Sequence, residues 1–185
     1  MNNISIYRMK TILIFVCTLD GKITKWGDPM IRSWSSRADQ DQFDAIWNET
    51  RVIIMGSGTY NPDPLKADPK HQFIVMTRQP SKYEGSDVPR LLEFTNQTPI
   101  QILNRFENDE NAVLVVGGSQ IATSFLKEQL IDELWLTFEP KIFGTGANFV
   151  KDEKLDIDLK LISFEQINEQ GTVLTKYEVL RSEKI

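Results

Sequence analysis

The sequence predicts a mostly parallel α/β sheet of about eight strands, closed by an antiparallel hairpin, and three observations carry that prediction. Apolar, β-branched segments of strand length alternate with segments of helical periodicity, the pattern of crossover units. Two strand-like segments end on glycine and pass at once into a helical segment, at Gly56-Ser57-Gly58-Thr59 and at Gly117-Gly118-Ser119. The last two strand-like segments flank Asn168-Glu169-Gln170-Gly171, a composition suited to a hairpin turn.

Strands are expected at residues 11–17, 52–55, 73–76, 91–94, 112–116, 133–138, 159–166 and 173–180. Helices are expected at 39–48, 100–108 and 119–128. The first helix follows Ser36-Arg37-Ala38-Asp39, close to a capping box in which the serine accepts from the backbone and the acid reaches back. In the third, Ile121, Ala122, Phe125 and Leu126 recur at helical spacing, with Ser119 placed to cap the first turn. Two irregular stretches, 18–36 and 56–71, are rich in Gly, Pro and polar residues, and long loops in a compact domain carry function.

At 185 residues the chain is most simply one domain, 1–185, with Met9-Lys10 as a natural start and residues 1–8 as a frayed extension. A net charge of −5 disfavours nucleic acid as a partner. No apolar run approaches the roughly 20 residues that span a bilayer, so neither a membrane partner nor export is expected and the location is cytoplasmic. Cys17 is the single cysteine, which excludes an internal disulfide or a cysteine zinc cage. His71, the single histidine, falls in a polar loop, so histidine triads and multi-histidine metal sites are not expected either. Chemistry must come from carboxylates, hydroxyls or a bound cofactor.

The glycine turns suggest which cofactor. A helix start behind a glycine turn offers free backbone N–H groups and the positive end of a dipole, which suits a phosphate or pyrophosphate. Gly56 to Thr59 forms a second such turn, with the Thr59 hydroxyl as a further donor. Thr77 and Arg78, just past a strand, can hold a further phosphate by a charge-assisted bond. Asp39 stands three residues after Ser36, where an acid can serve the cap.

In register, these segments resemble a known family. Thr18-Leu19-Asp20-Gly21-Lys22 is similar to the loop after the first strand of RibD reductases. Ile53-Ile54-Met55-Gly56-Ser57-Gly58-Thr59-Tyr60 resembles the strand and turn of dihydrofolate reductases. Phe73 to Arg78, the Gly117-Gly118 loop, Leu130 to Leu134 and Glu139 to Gly146 follow in family order. The chain thus resembles the C-terminal reductase domain of RibD and the dihydrofolate reductase-like fold, over about residues 11–180.

The resemblance implies a three-layer α-β-α architecture and an NADPH-dependent reductase of a pyrimidine- or pterin-like ring. Its specific activity would be reduction of 5-amino-6-(5-phosphoribosylamino)uracil in riboflavin biosynthesis. The alternatives are a dihydrofolate or pterin reductase paralogue and a non-catalytic NADPH-binding regulatory module. The resemblance assigns cofactor contacts to Cys17, Gly56, Ser57, Thr59, Thr77, Arg78, Gly117, Gly118, Ser119, Gln120 and Ile121. It assigns substrate contacts to Asp20, Lys22, Trp34, Asp39 and Thr137, with Asp39 also catalytic, and it implies a homodimer joined through sheet edges or helices. Three positions depart from the pattern. Val116 replaces the acid that RibD reductases carry before the glycine pair. Lys66 follows Asp63-Pro64-Leu65 where they carry arginine, and Ser57 replaces the dihydrofolate reductase arginine. The first two touch the substrate side and point to a different heterocycle, while the third leaves a phosphate contact missing or supplied elsewhere.

Overall fold

The computed structural model describes residues 9–106 and 111–181. The frayed extension expected at 1–8 and the tail of the helix expected to reach 108 lie outside the described residues. The strands are β1 (Thr11–Thr18), β2 (Val52–Gly56), β3 (Gln72–Met76), β4 (Leu92–Thr95), β5 (Val113–Val115), β6 (Glu133–Glu139), β7 (Leu159–Gln166) and β8 (Val173–Val179). They form one sheet in the order β4-β3-β2-β5-β1-β6-β8-β7. The first six run parallel, and β8 pairs antiparallel with both β6 and β7. The helices are α1 (Arg37–Glu49), the single turn α2 (Ser57–Tyr60), α3 (Pro99–Leu103) and α4 (Ser119–Lys127).

Burial explains the layering. All eight residues of β1 are buried, as expected of a parallel strand covered on both faces. Leu13, Phe15 and Cys17 point to one face and pack with Ile102 of α3 and Phe125 of α4. Ile12 and Ile14 point to the other, where Phe43, Ile46 and Trp47 of α1 cover them. The chain thus crosses over one face through α1 between β1 and β2, and over the opposite face through α4 between β5 and β6. Such reversals open a crevice outside the C-terminal ends of the strands, where ligands of α/β sheets bind. No helix among the described residues is long and apolar enough to cross a membrane.

Several expectations are corrected. Gly118, not Ser119, is the N-cap of α4, and no side chain caps that turn. Ser119 instead donates its hydroxyl to the Asn148 carbonyl. The helix expected at 100–108 is only α3 followed by a 3₁₀ turn at 104–106. Its start is closed by a full capping box: Thr98 N–H donates to Gln101 Oε1 (2.9 Å) and Gln101 N–H to Thr98 Oγ1 (3.4 Å). His71 does end the polar loop before β3, but it is not exposed there. It is buried at the foot of β3 against Trp47 and Phe73, with Nδ1 2.8 Å from the Thr50 carbonyl oxygen.

Candidate active site

The first half of the site is made of backbone. The ends of β2 and β5 lie side by side, and Gly56 N–H donates to the Gly117 carbonyl at 2.8 Å. A Cβ on Gly56 would lie 2.8 Å from Ile121 Cγ1, and one on Gly117 only 2.7 Å from Phe15 Cε1, so both glycines are demanded by packing. Gly117 also has φ +97°, and the Gly117-Gly118 peptide is cis. Gly118 differs: a Cβ there would meet only Thr59 Oγ1, at 3.6 Å, so this glycine keeps open the space before α4. Neither α4 nor α2 has a side-chain cap, and their first N–H groups face this edge unclaimed by side chains. These residues fit a pyrophosphate-bearing cofactor. Ser119 would contribute through its backbone alone, since its hydroxyl is already engaged.

The other residues expected to touch a cofactor are more scattered. Cys17 is fully buried, and burial first, then the nearby Asp20 and Asp39, pushes its thiol up to about 12. Arg78 is exposed just past β3, and the Thr77 hydroxyl accepts from Gln79 N–H at 3.2 Å.

The second half is made of side chains. A cleft of about 360 Å³ opens between α1 and the sheet, floored by Val16, Met55, Val116 and Thr137 and lined by Thr59, which the two halves share. Asp39, in the first turn of α1, faces it with 6% of its surface exposed. Burial pushes its carboxyl from the ordinary 3.8 up to about 6. The Thr137 and Ser35 hydroxyls and Arg32 pull against that shift, while Glu139 adds to it. The Ser35 hydroxyl lies close enough to favour the carboxylate, yet it completes no hydrogen bond and is left as a buried polar atom lining the cleft. Trp34 Nε1, away from the cleft, is the other buried side-chain polar atom without a hydrogen-bond partner among the described residues.

Asp39 is free for the cleft because a distant residue takes its capping role. Ser36 Oγ accepts from Asp39 N–H at 3.3 Å, the first half of a capping box. The second half is supplied from β6: Ser36 N–H donates to Glu139 Oε1 at 2.6 Å. Glu139 is 1% exposed, and its other oxygen accepts from the Thr172 hydroxyl at 3.1 Å, with Lys141 Nζ at 3.6 Å. The terminal hairpin thereby reaches the start of α1. Ser35 and Glu139 were not singled out from the sequence. The usable signal was an acid ending the apolar strand β6, where an unpartnered charge cannot be buried.

Asp20, Lys22 and Trp34 join the loop after β1 to the loop after β6. Asp20 accepts from the Thr18 hydroxyl (2.5 Å), Gly144 N–H (2.8 Å) and Phe143 N–H (3.2 Å), which hold its carboxyl below the ordinary range, the Thr18 bond foremost. Lys22 Nζ donates to Asn148 Oδ1 at 2.8 Å. Trp34 is buried edge-on to Phe143, with ring centres 5.1 Å apart, and its carbonyl accepts from Lys141 Nζ. Of these three and Asp39 and Thr137, only the last two line the cleft.

A crossed-over α/β sheet with a glycine-lined edge beside a carboxylate cleft defines an α/β protein of the dihydrofolate reductase-like type. The RibD C-terminal domain model matches residues 9–173, and the chain belongs to that family. It is 23% identical over 167 residues to the uncharacterized protein YwjB of Bacillus subtilis, covering 86% of this chain and 93% of that one. Its fold is similar to a putative riboflavin biosynthesis protein from Shewanella sp. PV-4, at 20% identity, with a TM-score of 0.73 over 94% of this chain and 100% of that one. It is similar also to a dihydrofolate reductase from Enterococcus faecalis complexed with NADP(H), at 17% identity, with a TM-score of 0.69 over 94% of this chain and 98% of that one.

Proposed function

We propose that this protein is an NADPH-dependent reductase of a pyrimidine- or pterin-like heterocycle. The observation that carries the reading is the buried Asp39 carboxyl, raised to about 6, facing a cleft that shares Thr59 with an uncapped, glycine-opened helix start. Membership of the RibD C-terminal domain family and a fold like that of an NADP(H)-binding reductase support it.

The backbone of Gly118, Ser119 and Gln120 would hold the pyrophosphate, with the Thr59 hydroxyl beside it and Gly56, Ser57, Gly117 and Ile121 shaping the turn. Thr77 and Arg78 would hold the adenosine phosphate. Cys17, inert as a thiol, would present backbone to the nicotinamide. When bound, NADPH supplies the hydride. The Asp39 carboxylate accepts two N–H groups of the ring, and the fraction protonated near pH 6 holds a proton at one carboxyl oxygen for delivery to the ring. Thr137 orients the ring through its hydroxyl, and α1 over the sheet keeps water from the cleft. Asp20, Lys22 and Trp34 bear on substrate indirectly, by fixing the loops.

The chain is further inferred to act as a homodimer through the sheet edge. Strand β7 leaves Leu161, Ile162 and Phe164 exposed along an edge that offers unpaired backbone groups.

The test is loss of NADPH absorbance on addition of candidate pyrimidines and pterins. Turnover that falls by about 100-fold in Asp39→Asn, with NADPH binding intact, supports the reading. Saturable NADPH binding with no turnover on any ring would make the protein a regulatory module instead.

A further inference from the structure

The cleft extends beyond Asp39 along α1, and its far end has a definite chemical character. Phe43, Ile46 and Trp47 line it from α1, and Leu65 lines it from the loop after α2. Arg32 is the one basic side chain that lines the cleft among the described residues. Asp44 holds its guanidinium through two oxygens, with Nη1 3.4 Å from Oδ2 and Nη2 closer still to Oδ1. Asp63 and Asp39 also face Arg32. Three carboxylates thus surround one cation, which is already paired. Lys66, which stands where the family pattern has arginine, is exposed and does not line the cleft.

A phosphate entering this cleft would meet a surplus of negative charge and no free donor cation. To recruit Arg32 it would have to displace Asp44, leaving that carboxylate unpaired beside it. An uncharged apolar or aromatic substituent, by contrast, would bury itself against Phe43, Ile46, Trp47 and Leu65 at no electrostatic cost. We infer that the substrate is an amino-heterocycle whose substituent is uncharged and apolar, and that the cleft rejects phosphorylated and other anionic substituents. The inference rests on the reading that Asp39 grips the ring. It makes Arg32, Asp44 and Asp63 specificity-determining, with Asp44 acting by occupying Arg32.

The experiment compares three ligands with one ring and one linking amine: 5-amino-6-benzylaminouracil, 5-amino-6-ribosylaminouracil and the 5′-phosphate of the latter. Binding is followed by tryptophan quenching, since Trp47 lines the cleft, with and without NADPH. The benzyl compound is expected to bind tightest. The phosphate is expected to weaken binding by about tenfold against its dephosphorylated parent at low salt, less so as salt rises. In the double variant Asp44→Asn, Asp63→Asn the phosphate ester should come within about threefold of its parent, while benzyl affinity stays within about twofold of the wild type. A phosphate ester that binds as well as its parent overturns the inference, as does failure of the benzyl compound to bind. The reductase reading fails separately: if NADPH does not bind, that reading falls while the ligand order without NADPH still decides the inference. If NADPH binds and the phosphate ester is preferred, the inference falls alone.

Discussion

The two halves of the site are built from different materials. At the ends of β2 and β5 the wall is backbone, shaped by glycines that let two turns and a phenylalanine ring close on one another. Under α1 the wall is side chains, and the turn that carries its central carboxyl is capped at Ser36 by Glu139, 103 positions from that serine. A backbone surface recognises a generic feature, the charge of a phosphate. A side-chain surface can be altered one residue at a time. The contrast teaches why the glycines of the edge keep the family pattern while the floor of the cleft departs from it at Val116.

Substitutions on either side should separate the halves, and the largest effects should come from the residues each half cannot replace. Asp39→Asn should lower turnover by about 10²–10³-fold while leaving NADPH affinity within about twofold, as read by steady-state kinetics and fluorescence titration. The same variant should be more stable than the wild type above pH 6. Asp39 binds its proton more tightly in the folded state, so its favourable contribution is complete below pH 3.8 and lost as pH rises through about 6. The gain at pH 7.5 is at most about 3 kcal/mol and should vanish near pH 4, which thermal melts at the two pH values would show. Equal gains at both would break the assignment.

Gly117→Ala should act on the other half. Its methyl has no room beside Phe15, and its φ of +97° disfavours any side chain. A loss of about 3 kcal/mol is expected in denaturant melts, with NADPH binding abolished in whatever remains folded. Glu139→Gln is subtler. Its amide oxygen can still accept from Ser36 N–H, so stability should fall by only about 1 kcal/mol. Removing its charge should shift the Asp39 titration downward, and carbon NMR of that carboxyl reads the shift directly. The smallest effect on fold and chemistry should be Phe164→Lys on β7, which should leave turnover and melting nearly unchanged while light scattering reports monomers.

How much of this was legible in the sequence follows the same division. The strands, the mostly parallel sheet with its terminal hairpin and both glycine turns were readable because β-branched runs and glycines are local signals. Ser119 was misread as a cap because a serine after glycine looks like one, whereas its hydroxyl is claimed by Asn148 from a loop far along the chain. The two capping boxes make the limit clearest. Thr98 and Gln101 close theirs reciprocally, within four residues, and such a pair can be seen in a sequence. Ser36 and Asp39 look the same on paper, but Glu139 takes the second bond and releases the carboxyl to the cleft. Nothing local distinguishes the two, because the difference lies in a partner brought in by β6. Arg32, Asp44 and Asp63 were invisible for the same reason: they meet only when the loops after β1 and α2 fold beside α1.

The central claim is that cofactor and substrate are held by separate halves of one edge. Its most direct test is an NADPH titration of the wild type and Asp39→Asn by tryptophan fluorescence. The account predicts saturable quenching in both, with dissociation constants that agree within about twofold. No signal at millimolar NADPH, or a signal lost in Asp39→Asn, would contradict it.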